Sequence, residues 1–267
     1  MRMKLTLAII ASFVAAPAVA DDGQGPEQAK PTRGVYVGLF GGGGVSTSTS
    51  ATQFGTVFFI EAAGGPLAVN ATGRTDSGGV GFVGGQIGYE ARYGSMMLPA
   101  FEIEGFYLAN GTRHVTLQNP NVRAVEQTFD TTLPMNTAVV LANLVLSFPT
   151  SSAGVTPYFG AGIGAARVTV NGGNSLQTNP TEGALNHFNS GPDSTAWTFA
   201  AQAKAGVRVS LGANAYVFGE YRYLYVGSSD QVFGPTVSPG HAPTSAWTVR
   251  FGDTSHHLGT AGIGFSF

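Results

Sequence analysis

His257-Leu-Gly-Thr-Ala-Gly-Ile-Gly-Phe-Ser-Phe267 closes the chain, and its reading decides the fold. Ile263, Phe265 and Phe267 recur at every second position, while Gly262, Gly264 and Ser266 between them are small. This is the pattern of a strand that is greasy on one face and nearly bare on the other. In water such a strand invites edge-to-edge aggregation unless both of its edges are paired, and closing the sheet is the most complete way to pair them. The rest of the chain has to supply that closed sheet.

The composition agrees. Charged residues make up only 10% of the chain and Gly contributes 39 of 267 residues, which leaves too few charges to cover an ordinary water-soluble surface. There is no cysteine, so disulfide frameworks and thiolate metal sites are excluded. Arg2 and Lys4 precede an apolar run from Leu5 to Val14, and Ala18-Val19-Ala20 precedes Asp21. That is the form of a secretory signal peptide over residues 1–20, because the apolar run is shorter than the roughly 18 to 20 residues of a spanning helix. Its removal takes away Arg2 and Lys4, leaving 11 basic residues against 15 acidic ones, a balance that argues against a nucleic-acid partner. Residues 21–33, with Gly23, Gly25, Pro26 and Pro31, read as a periplasmic leader without structure. The class that fits an exported, charge-poor, glycine-rich chain is the transmembrane β-barrel, whose strands need only about ten residues to cross a bilayer.

Period-two alternation predicts eight strands, at 34–46, 79–91, 98–109, 132–148, 155–170, 195–211, 215–226 and 257–267. The seventh is the clearest: Tyr221, Tyr223 and Tyr225 share one parity, Glu220 and Arg222 the other. The third sets Phe101, Ile103 and Tyr107 against Glu102, Glu104 and Phe106. Connections alternate long and short, the asymmetry of an up-and-down antiparallel barrel with extracellular loops and periplasmic turns. Residues 34–267 are therefore expected to form an eight-stranded transmembrane barrel with four long extracellular loops. The loop at 47–77, with its apolar patch Thr56-Val57-Phe58-Phe59-Ile60, reads as a hairpin rising above the membrane. His114, Arg123, His187 and His241 are placed in loops. Tyr36, Tyr89, Tyr107, Tyr158, Trp197 and Tyr225, near strand ends, read as interfacial girdles.

On this register Glu90, Glu102, Glu104, Lys204, Arg208, Glu220 and Arg222 point into the lumen. The interior of an eight-stranded barrel is just filled by side chains, so charges of both signs there are expected to pair as a plug rather than line a conducting path. Glu102 and Glu104 are expected to meet Lys204, Arg208 or Arg222. No catalytic, cofactor or metal site is assigned. The glycine run Gly41–Gly44 in the first strand is not followed by a helix as a phosphate cradle requires, and no Gly-x-Ser-x-Gly elbow occurs. His256 and His257 are adjacent on a strand and point to opposite faces, so they cannot chelate one metal from it.

Gly34-Val35-Tyr36-Val37-Gly38, Phe218-Gly219-Glu220-Tyr221-Arg222-Tyr223 and Gly262-Ile263-Gly264-Phe265-Ser266-Phe267, together with the signal peptide, resemble the OmpA-like and opacity-type family of small outer-membrane β-barrels. The resemblance implies an integral protein of the outer membrane of a Gram-negative-type bacterium, in contact with outer-membrane lipid. It implies a structural role or a surface antigen or adhesin whose loops meet a host or matrix ligand, with a narrow porin-like channel as the alternative and a lipid-modifying enzyme as a more distant one. Phe267, with Phe265 and Ile263, looks like the terminal signal read by the outer-membrane assembly machinery.

Overall fold

The computed structural model describes residues 34–91, 97–120, 126–150 and 154–267. The signal peptide, the leader, Arg123 and most of the turns at 92–97 and 149–154 lie outside the described residues. In chain order the strands are β1 (Val35–Ser46), β2 (Ser50–Val57), β3 (Leu67–Arg74), β4 (Gly78–Glu90), β5 (Leu98–Asn119), β6 (Gln127–Ser147) and β7 (Val155–Val170). They continue with β8 (Asn174–Asn179), β9 (Thr181–Asn186), β10 (Ser194–Ser210), β11 (Ala215–Val226), β12 (Ser229–Phe233), β13 (Trp247–Phe251) and β14 (Thr254–Ser266). A single 3-10 turn, Glu61–Ala63, is the only helical element among the described residues.

Eight of these strands, β1, β4, β5, β6, β7, β10, β11 and β14, pair antiparallel in sequence order. The ring closes between first and last, from Tyr36 opposite Ser266 to Ser46 opposite His256. The terminal strand thus has a partner on each edge, β1 and β11. Outward-facing positions are apolar around the ring: Leu39, Val83, Phe101, Leu144, Phe159, Ile163 and Ile263 are all exposed. Alternation sends the intervening residues inward, and there the first hydrophobic cluster, including Phe40, Phe82, Phe106, Tyr158 and Phe218, packs with the polar groups of the lumen.

Several inner positions are glycine because an aromatic ring from the neighbouring strand occupies the space. A Cβ on Gly264 would fall on the Tyr216 ring, and one on Gly88 on the Tyr36 ring. The bare face of β14 therefore accommodates the aromatics Tyr216 and Phe218 of β11. Tyr36 and Tyr158, expected in the interfacial girdles, are instead buried inside the barrel.

The long connections are not irregular loops. β5 has 22 residues, about 70 Å at roughly 3.3 Å per residue, more than twice the hydrocarbon thickness of a bilayer. It continues past residue 109, where the alternation in the sequence had ended the strand, by a register shift between Ala109 and Gly111 with Gly111 at φ 69°. Such a bulge inserts one residue and lets both strands run on in pairing. The β5–β6 ladder extends to Asn119 opposite Gln127, which puts His114 on a strand rather than in a loop. On this double-strand stem the β2–β3 hairpin docks through Thr72 opposite Gln118, β13 and β12 extend the sheet beyond β2, and β8 with β9 flank β6. This extension has its own core of Leu117, Phe129, Leu133, Phe188, Phe233, Trp247 and Val249.

Candidate functional site

All seven residues read as lumen charges lie inside the barrel, and they form two groups. The central one is built by β5, β10 and β11. Lys204 Nζ sits 2.5 Å from Glu102 Oε1 and 3.2 Å from Glu104 Oε2, so one ammonium bridges two carboxylates that a period-two strand forces onto the same face. Arg222 donates from Nη1 to Glu104 Oε1 at 3.1 Å and from Nε to Glu220 Oε1. Arg222 has no solvent exposure, and its guanidinium lies 4.2 Å from the Phe40 ring centroid. The second group, nearer the end of the barrel where Ser266 lies, pairs Arg208 Nη1 with Glu90 Oε2 at 3.3 Å. Arg208 stacks on the rings of Tyr216, Tyr36 and Tyr158, at 4.6, 5.3 and 5.6 Å to their centroids. Of the two acidic neighbours, Glu102 meets Lys204 and Glu104 meets Lys204 and Arg222; Arg208 turns to Glu90 instead.

Uncharged donors extend the network. Tyr36 donates its hydroxyl to Glu102 Oε2 at 3.0 Å and Tyr158 to Glu220 Oε2 at 2.7 Å. Asn143 Nδ2 donates to Glu102 Oε1 at 3.3 Å, and Gln202 Nε2 donates to Asn143 Oδ1 at 2.8 Å and to Glu104 Oε1. Buried carboxylates are tolerated when they are paired and hydrogen-bonded, and Glu102, Glu104 and Glu220 each have two or more such partners. Sequence reasoning missed the two tyrosines, although the same alternation that sent Glu102 inward places Tyr36 on the inner parity of β1. Gaps of about 40 and 30 Å³ remain at the two ends of the lumen, beside Arg113 and His256 at one and Glu90 and Arg208 at the other. Between them lie the buried side chains of Glu102, Glu104, Lys204, Glu220 and Arg222.

At the far end the extension offers an outer surface. Phe58, Phe59 and Ile60, next to β2, are exposed. Arg250 and Asp230 form a two-pronged ion pair across β12 and β13, at 2.6 and 2.8 Å. His187 is 2% exposed within the extension core. Ile263, Phe265 and Phe267, expected from the sequence to form the terminal signal, are exposed on the outer face at the opposite end.

A family model described as outer membrane protein beta-barrel domain matches residues 6–263. Among solved structures the chain is similar to Neisserial surface protein A, at 18% identity, covering 89% of this chain and 100% of that one with a TM-score of 0.36. It is also similar to the outer membrane protease OmpT from Escherichia coli, at 8% identity over 86% and 97% of the two chains, TM-score 0.40. The outer membrane protein OprG from Pseudomonas aeruginosa shows 11% identity over 88% and 98%, TM-score 0.39. The sequence matches no curated protein.

Proposed function

Because the chain belongs to the outer membrane protein beta-barrel domain family, we propose that it is a non-conducting, non-enzymatic outer-membrane anchor that presents a folded β-extension as a surface recognition element of the antigen or adhesin kind. One observation carries this reading: the lumen is filled by a buried ion-pair network, whereas the long connections are built into a sheet with a core of its own. In barrels of this class short turns face the periplasm and long connections face outward. The extension lies away from the closure of Tyr36 on Ser266, so it projects from the cell. A sheet held rigid by Trp247 and Phe129 loses little conformational entropy on meeting a ligand, which favours recognition.

The test uses intact cells displaying the protein and a panel of immobilised host and matrix components. Shortening 47–77 and 228–254 is expected to abolish binding while the barrel still inserts; unchanged binding, or none by the wild type, would overturn the adhesin reading. The refolded protein in planar bilayers is expected to give no discrete conductance steps, and regular steps would replace the anchor with a channel.

A further inference from the structure

Glu182, His187 and His241 are remote in sequence and converge in the extension. Glu182 lies on β9, His187 directly follows that strand, and His241 belongs to the connection between β12 and β13. One ligand atom from each lies within 4.8 Å of the others. His187 Nε2 is 3.2 Å and His241 Nε2 3.4 Å from the same oxygen, Glu182 Oε2. We propose that these three residues form a binding site for a transition-metal dication of the zinc class, which clamps the 171–193 connection to the 227–253 connection.

The ring tautomers support it. His187 Nδ1 is 3.0 Å from the Ser175 carbonyl oxygen and His241 Nδ1 is 2.6 Å from that of Ala242. A carbonyl only accepts, so each Nδ1 carries the proton, and in a neutral ring each Nε2 presents a bare lone pair. Two lone pairs and a carboxylate oxygen then face one another, an arrangement that repels without a cation between them. Backbone carbonyls holding Nδ1–H are also the usual outer partners that orient metal-binding histidines. The two separations to Glu182 Oε2 fit: bonds of about 2.0 to 2.2 Å to nitrogen and oxygen give tetrahedral edges of roughly 3.3 to 3.5 Å. Protonated rings would instead form ordinary ion pairs with Glu182 at these separations, an arrangement that takes up no Zn²⁺.

The surroundings are those of a built site. His187 is held edge-on by Phe129 and Trp247, with centroids 5.5 and 5.8 Å away, so its ring cannot swing to another partner. The three ligands line a cavity of about 170 Å³ with Gln127 and Gln177 on its wall, which leaves room for a water in the fourth position. Three protein ligands with water in the fourth place make an open zinc site rather than a closed, four-ligand one. Imidazole and carboxylate together select zinc, nickel or copper over calcium and magnesium.

The experiment is calorimetric titration of Zn²⁺ into the tag-free, metal-stripped full chain refolded in detergent, with zinc-edge absorption spectroscopy on the loaded protein. Saturable binding of one equivalent, with scattering from two imidazoles, is expected. Loss of an outer partner alone typically weakens metal binding 10- to 100-fold, so Glu182→Gln and His241→Gln, both at partly exposed positions, should weaken it by at least about 100-fold. His257→Ala, on the barrel's outer face, should bind as the wild type does. Absence of saturable binding by the wild type, or undiminished binding by folded Glu182→Gln and His241→Gln, would overturn the site.

Discussion

The barrel and its extension are one continuous sheet, yet their interiors are built on opposite terms. Inside the barrel sit Glu102, Glu104, Glu220, Lys204 and Arg222, all buried, with aromatic rings around them. Inside the extension sit Phe129, Phe188, Phe233 and Trp247, among buried but uncharged polar groups such as Gln53, Thr131, Ser175 and Gln231. The difference follows from the solvent on the other face. A strand in lipid spends its apolar residues on the outside, so a narrow lumen receives the polar half of the alternation and must satisfy it internally. The extension stands in water and folds as a soluble sheet does, apolar side in.

This contrast predicts different failures. Arg222→Ala should have the largest effect. It leaves Glu104 and Glu220 buried without their shared partner, a loss of about 3 to 5 kcal/mol. Urea unfolding in lipid vesicles should show the whole barrel destabilised, whereas replacing Arg222, Glu104 and Glu220 together with apolar residues of similar volume should recover most of it. Equal destabilisation by the single and triple variants would break the view of the lumen as a network of mutual dependence. Trp247→Ala should come next, at about 3 kcal/mol, because it removes the largest side chain of the extension core. The loss should stay local: proteolysis should cut the extension while the barrel keeps its heat-modifiable mobility on gels, and joint melting of both regions would show that the two interiors are coupled.

The smallest effect belongs to Asp230→Asn. Hydrogen bonding from Arg250 holds the Asp230 carboxyl below its ordinary range. A depressed carboxylate stabilises the fold above its unfolded value of about 3.9, and that contribution fades as pH falls through the lower folded value. The pair is exposed, so the change should be under about 1 kcal/mol and should vanish in high salt. A larger loss would mean that the edge formed by β12 and β13 depends on this pair.

Much of the barrel was legible in the sequence because period-two alternation is a local signal that a bilayer enforces along every strand. Glu220 and Arg222 against Tyr221 and Tyr223 announce their faces without any partner being known. Other features were hidden for identifiable reasons. Asn110-Gly111 has the chemistry of a turn, and only pairing of β5 with β6 turns it into a bulge and carries both strands onward. Tyr36 and Tyr158 look like belt residues by their positions near strand ends, but their parity and the carboxylates opposite decide where they go.

Within the extension the limit was distance along the chain. Glu182 and His187 are close in sequence, yet His241 reaches them only because β12 and β13 fold back beside β2 and bring their connection over β9. No local pattern encodes such a meeting. The sequence by itself determined the closed eight-stranded ring and the inward direction of its charges, because alternation and the long-short rhythm of connections are read one strand at a time. Tertiary structure alone decided which charge meets which, how the loops became a second sheet, and that two histidines and a glutamate share a point, because each depends on register between strands far apart in the chain.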